Sequence, residues 1–171
     1  MINLPNINKC TVAVIGLGYV GLPLAIEFSK KKKYGIKNNY SDRKIIGFDI
    51  KIERIQELQD GFDRTNQLLE ENLNLLNNIF FTANAEDIVA ADVFIVTVPT
   101  PINSSKRPDL GPLKNASLIV AKAIKKRKIF QKNKNTQINP IIIFESTVYP
   151  GATEEVCIPL IETESRLKIN K

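Results

Sequence analysis

The chain has 171 residues, 43% apolar and 25% charged, with a net charge of +6 and no histidine. That suits one folded domain and is short for two; it is too apolar for disorder, and no run nears the ~20 apolar residues of a membrane-spanning helix. The first residues, Met1–Pro5, lack the basic and apolar regions of a secretory signal, and two cysteines, Cys10 and Cys157, make neither a disulfide framework nor a zinc site.

Taken in chain order, Cys10–Ile15 is short, apolar and β-branched, which predicts a buried strand. Val20–Lys33 sets Val20, Leu24, Ala25 and Phe28 on one helical face, with Pro23 in the first turn, where its missing N–H costs nothing. Lys44–Ile50 predicts a second strand and Lys51–Gln59 a short helix ended near Gly61. Thr65–Asn77 predicts another helix, with Leu68, Leu69, Leu73 and Leu76 on one side. Ile79–Thr82 and Ala91–Val98 predict strands, the second stopping at Pro99. Leu113–Phe130 predicts a long helix, with Leu113, Ala116, Val120, Ala123 and Arg127 three or four apart and lysines opposite. Pro140–Glu145 predicts a last strand. Thr153 is placed to cap a final helix, which Pro159 must kink or end. The Asn/Lys-rich stretches Lys37–Lys44 and Gln131–Asn139 predict surface loops.

Strands that alternate with helices and are apolar on both faces imply an α/β fold. The expectation is a single Rossmann-type domain over residues 1–171: a doubly wound, mostly parallel sheet with helices on both faces. The positive charge gathers at Lys30–Lys33 and at Lys125, Lys126, Arg127, Lys128, Lys132 and Lys134. Such clusters suit solvated helix faces and C-termini. A nucleic-acid site would interleave aromatics with them, and only Tyr34 and Phe130 lie nearby, so no nucleic-acid or membrane partner is expected. Without histidine, the usual proton shuttle and commonest metal ligand are missing. Chemistry here must rest on a cofactor, a carboxylate, a hydroxyl or a thiol, and no metal site is expected.

Gly16-Leu17-Gly18-Tyr19-Val20-Gly21 is a G-x-G-x-x-G between the first predicted strand and the first helix. In that setting Gly16 permits the tight turn, Gly18 lets backbone approach a pyrophosphate, and Gly21 lets helix and strand pack closely. The helix N-terminus offers free N–H groups and partial positive charge to the phosphates. Asp49 ends the second strand, where a carboxylate accepts bonds from the ribose hydroxyls and repels a 2′-phosphate, favouring NAD over NADP. It lies 33 residues beyond Gly16, where about 20 is usual, so the polar stretch Lys31–Arg43 is read as a loop insertion. Arg54 can reach back to the cofactor phosphates; the alternative is a solvated helix arginine.

Gly16–Pro23 resembles the N-terminal signature of the UDP-glucose/GDP-mannose dehydrogenase family. Three further segments are similar to it in the same order: Val96-Thr97-Val98-Pro99-Thr100-Pro101-Ile102, Pro108-Asp109-Leu110, and Glu145-Ser146-Thr147-Val148-Tyr149-Pro150-Gly151-Ala152-Thr153-Glu154-Glu155. The last resembles the branch that oxidises UDP-N-acetylgalactosamine or UDP-N-acetylglucosamine more than the UDP-glucose enzymes. The resemblance implies a cytoplasmic, NAD-dependent, two-step oxidation of the C6 alcohol of a UDP-sugar substrate to a carboxylate, through a cysteine thiohemiacetal and thioester, for surface polysaccharide synthesis. It implies that Tyr19 and Val20 contact NAD from the turn, that Asp49 takes the ribose and Arg54 the phosphate side, and that Thr100 and Thr147 stand close to the cofactor at strand ends. Thr147 is further implied to help position the catalytic water. The alternative for both threonines is an ordinary turn or cap hydroxyl.

The family's Gly-Phe-Gly-Gly-Ser-Cys-Phe-Pro-Lys-Asp segment, which carries the nucleophile, has no counterpart in these residues. By the resemblance, that segment, the linking helix of a homodimer and the sugar-nucleotide domain would follow residue 171. Cys10 and Cys157 both read as buried structural thiols. The expectation is the cofactor domain of a longer dehydrogenase, inactive alone. The alternatives are a UDP-glucose or GDP-mannose 6-dehydrogenase, a standalone non-catalytic nucleotide-binding module, or a Rossmann enzyme using FAD or S-adenosylmethionine.

Overall fold

A computed structural model describes residues 3–30, 33–34, 39–40, 43–67, 70–102, 106–131 and 138–169. The chain runs β1 (Thr11–Ile15), α1 (Gly21–Ser29), β2 (Lys33–Tyr34), β3 (Asn39–Tyr40), β4 (Lys44–Phe48) and α2 (Ile52–Gln59). A 3-10 segment (Glu70–Asn78) follows, then β5 (Ile79–Thr82), β6 (Val93–Val96), α3 (Gly111–Gln131), β7 (Ile141–Phe144), a π turn (Thr153–Cys157) and α4 (Ile158–Ser165).

Five strands form one sheet in the order β5-β4-β1-β6-β7, and every neighbouring pair is parallel. β1 is central, with Ile15 beside Phe48 on one side and Val96 on the other. The order grows from β1 through β4 to β5, then reverses through β6 to β7. Strand C-termini flanking such a reversal form the crevice where open α/β sheets bind ligands.

The pleat sorts β1 between two cores. Val12 and Val14 join Leu22, Ala25 and Ile26 of α1 and Ile55 and Leu58 of α2. Ala13 and Ile15 join Leu113, Ala116, Val120 and Ile124 of α3, with Cys157. Both faces are therefore covered, as strands without an alternating polar side require. At the opposite edge from the crevice, buried Arg127 of α3 donates to the Ala90 and Ala91 carbonyls at 2.7 and 2.8 Å and pairs with Asp92. The other Asp92 oxygen accepts the Thr11 N–H at 2.8 Å. Arg127 thus ties α3 to the sheet and leaves the solvated cluster in which its charge first places it.

Four elements differ from expectation. α1 stops at Ser29, not Lys33, because the Ser29 hydroxyl bonds the Ile26 carbonyl and Lys30 turns extended. The polar stretch behind it is not wholly loop: Lys33–Tyr34 and Asn39–Tyr40 pair antiparallel. The helix expected from Thr65 is a shorter 3-10 segment, since Asn66 takes φ 48°, a left-handed conformation no α-helix crosses. Leu76 from it is buried. Thr153 does not cap the last helix, and Pro159 does not end it. The Ile158 N–H reaches back five residues to the Thr153 carbonyl, and this wide turn leaves Pro159 in the first turn of α4, which tolerates its missing N–H. Leu68, Leu69, Lys31, Lys32, Lys132 and Lys134 lie outside the described residues, as do 37–38, 41–42 and 132–137 of the two predicted Asn/Lys-rich loops.

Candidate cofactor-binding site

A cleft of about 630 Å³ opens at the C-terminal ends of β1, β4 and β6. Gly16, Gly18, Asp49, Arg54 and Thr97 line it, facing Asn115 of α3. A second hollow of about 620 Å³ between α3, β7 and α4 contains none of the candidate residues.

Leu17 fixes the shape of the turn. Its side chain is fully buried in the first core, and Gly47 of β4 makes the room: a Cβ there would stand 3.2 Å from a Leu17 methyl and 2.8 Å from the Phe81 ring. Its N–H donates to Asp49 Oδ2 at 2.9 Å. Its carbonyl accepts Arg54 Nε at 2.9 Å. Both peptide groups of one residue are therefore held by opposite charges from different elements. The second Asp49 oxygen accepts the Lys51 N–H at 3.0 Å. A carboxylate has about four acceptor positions, so Asp49 retains capacity for hydroxyl donors.

The glycines divide the work. Gly16 has φ 95°, which a side chain rarely adopts. A Cβ on Gly21 would lie 1.8 Å from the Gly16 carbonyl oxygen, so α1 packs on the turn only with glycine there. A Cβ on Gly18 would meet nothing within 4 Å, and Gly18 lines the cleft. Tyr19 and Val20 are exposed, and their N–H groups bond to nothing among the described residues. Unpaired N–H groups at a helix N-terminus suit an anion.

Arg54 is not a solvated helix arginine. It is 5% exposed, with Nη2 donating to Asp63 at 2.8 Å and to Thr65 Oγ1 at 3.3 Å. Its buried Nη1 makes no hydrogen bond and has the Glu57 carboxylate at 3.5 Å. Burial alone would raise the Asp63 pKa, but the Thr65 hydroxyl, Arg54, and the N–H groups of Gln67 and Thr65 together hold it below the usual carboxylate value.

Thr100 and Thr147 are brought together, but neither lines the cleft. The Thr100 hydroxyl donates to the Thr147 carbonyl at 2.5 Å. Ser146 Oγ donates to the Val98 carbonyl at 2.6 Å. Two hydroxyls thus stitch the loop after β7 to the loop after β6. Both thiols are buried, and burial raises the pKa of each.

Several residues of the site escape a reading by motif. Buried Thr97 donates to the Gly16 carbonyl at 2.7 Å and lies 3.0 Å from that of Ile15, pinning the turn to β6. An interior strand glycine such as Gly47 signals close approach, and the Asp-x-Thr spacing of Asp63 and Thr65 signals a side-chain-closed turn. Thr97, at the end of an apolar strand, carries no such sign.

A sequence model described as "UDP-glucose/GDP-mannose dehydrogenase family, NAD binding domain" matches residues 10–171. The chain is 46% identical over 160 residues to a UDP-N-acetyl-D-glucosamine 6-dehydrogenase of Pseudomonas aeruginosa, covering 94% of this chain and 32% of that protein. It is 39% identical over 166 residues to one of Salmonella typhi, covering 97% and 34%. An NDP-N-acetyl-D-galactosaminuronic acid dehydrogenase structure from Methanosarcina mazei superposes with TM-score 0.75 at 22% identity, covering 99% of this chain and 35% of that one, and shows the shared fold. The chain spans about a third of the length of the curated relatives it matches. With its Gly16–Gly21 turn, Asp49 at a strand end and parallel sheet, it belongs to the UDP-glucose/GDP-mannose dehydrogenase family and comprises that family's NAD-binding domain.

Proposed function

We propose that the cleft holds NAD for a nucleotide-sugar 6-dehydrogenase that oxidises the C6 alcohol of a UDP-N-acetylhexosamine to the uronic acid for surface polysaccharide synthesis. The double hold on Leu17 by Asp49 and Arg54 carries this reading. It orients the turn so that the Tyr19 and Val20 N–H groups stay unpaired, and the open side of Gly18 admits a pyrophosphate. Asp49 would accept the adenosine ribose hydroxyls, and Arg54, which lines the cleft, would stand on the phosphate side. NAD, when bound, supplies a hydride acceptor.

Thr100 and Thr147 serve this reading by fixing two strand-end loops beside the cleft. Thr147 assists catalysis by positioning water and not as the nucleophile. The hexosamine branch rests on the names of the two relatives at 46% and 39% identity. The reading also makes the full-length protein a cytoplasmic homodimer. No helix among the described residues is long and apolar enough to cross a membrane, and light scattering on the full-length protein tests the dimer. Product analysis with UDP-N-acetylglucosamine, UDP-N-acetylgalactosamine and UDP-glucose tests the substrate. Preferred oxidation of UDP-glucose would overturn the hexosamine assignment.

A further inference from the structure

Arg64 and Lys51 line the same cleft as Asp49. An arginine near the ribose-binding carboxylate is the usual means by which this fold accepts a 2′-phosphate. Arg64, however, is already engaged: its Nε donates to Glu57 Oε2 at 2.5 Å, and its Nη2 pairs with Glu57 Oε1. This two-point grip matches the planar guanidinium fork to a carboxylate. The Arg64 hydrogen bonds are also the leading cause that holds the Glu57 pKa below its usual value, so the clamp stays charged at neutral pH.

We propose that Glu57 is a specificity-determining residue, which enforces NAD over NADP by withholding Arg64 from a 2′-phosphate. Asp49 repels that phosphate directly; Glu57 denies it the Arg64 guanidinium. This rests on the reading that NAD occupies the cleft with its ribose at Asp49. Glu57 also stands 3.5 Å from Arg54 Nη1, but Arg54 serves phosphates that both cofactors share. A loss through Arg54 therefore weakens NAD and NADP alike, and only release of Arg64 changes their ratio.

The test is titration calorimetry of NAD and NADP against the wild-type chain, Glu57→Gln, Arg64→Ala and the double variant, with thermal melts to verify folding. Glu57→Gln is expected to narrow the NAD-to-NADP affinity ratio about tenfold, the size of one charge-assisted contact, mainly by tightening NADP. The double variant should restore the wild-type ratio, and high salt should erase the gain. Failure of wild type to bind NAD would overturn the cofactor reading itself. Folded Glu57→Gln that binds NAD with an unchanged ratio, or a gain that survives removal of Arg64, would overturn the role of Glu57 alone. If Glu57→Gln does not fold, Arg64→Lys, which cannot make the two-point grip, should narrow the ratio in the same direction; an unchanged ratio there overturns the role equally.

Discussion

Asp49 Oδ2 accepts the Leu17 N–H at 2.9 Å, so the carboxylate that would take the ribose also holds the phosphate turn in place. A charged hydrogen bond of this kind contributes ~1.5–3 kcal/mol. Asp49→Ala should lower the melting temperature and weaken NAD at least tenfold, as two lost roles require. Asp49→Asn keeps an acceptor for Leu17, so it should restore most of the stability while remaining weak for NAD and less averse to NADP. Thermal melts and calorimetry on both variants check this. Equal stability losses in the two would show that the acceptor at Leu17 contributes nothing.

Gly18 and Gly21 should respond oppositely to alanine. Gly21→Ala drives a Cβ to within 1.8 Å of the Gly16 carbonyl, so α1 must shift, and the overpacking loss should reach or exceed ~1–3 kcal/mol. Gly18→Ala adds a methyl to open space; the fold should be unaffected and NAD binding should fall, because Gly18 lines the cleft. Urea unfolding separates the two. A stable Gly21→Ala would contradict the packing described for the turn.

The parallel sheet and the turn were legible because both are written in local pattern. Apolar β-branched runs marked β1, β5, β6 and β7 to within one or two residues at each end, and glycine spacing marked the turn. What escaped depends on contacts between distant segments. Arg54 is placed by sequence on the phosphate side, but its hold on the Leu17 carbonyl, 37 residues away in sequence, is written in no local pattern. Arg127 looked solvated until Asp92 and two carbonyls enclosed it. The helix expected at Thr65 has the correct leucine spacing, but periodicity says nothing of a left-handed Asn66 that separates it from α2. Thr100 and Thr147 were grouped by family resemblance; the hydroxyl-to-carbonyl bond that joins them follows from β6 and β7 being neighbours.

Acid stability should report Asp63. Its pKa in the folded chain lies below the ordinary value, about 3.9 in an unfolded chain. Between those two values the unfolded state binds more protons, so stability rises with pH there. The contribution is complete above the unfolded value and is lost as pH falls through the folded one. Asp63→Asn should cost ~1–3 kcal/mol at pH 7 by leaving Arg54 short of a charged partner, and should flatten the decline in stability below about pH 4. Urea unfolding from pH 3 to 7 reads both. Parallel curves for wild type and variant would contradict this assignment.

The 171-residue chain should bind NAD without turning it over. Its two thiols are buried, and burial raises the pKa of each, which leaves little of the nucleophilic thiolate. Absorbance from NADH, followed with UDP-N-acetylglucosamine or UDP-N-acetylgalactosamine, should stay flat. Sustained production abolished by Cys157→Ser or Cys10→Ser would reverse this.

The cleft between β1, β4 and β6 is tested most directly by calorimetric titration of NAD into the 171-residue chain, with NADP as the comparison and Gly18→Ala as the control. One NAD per chain is expected, bound more tightly than NADP and weakened in the control while the melting temperature holds. Absence of NAD binding, or NADP bound as tightly as NAD by the unmutated chain, would contradict the cofactor site built on Leu17, Asp49 and Arg54.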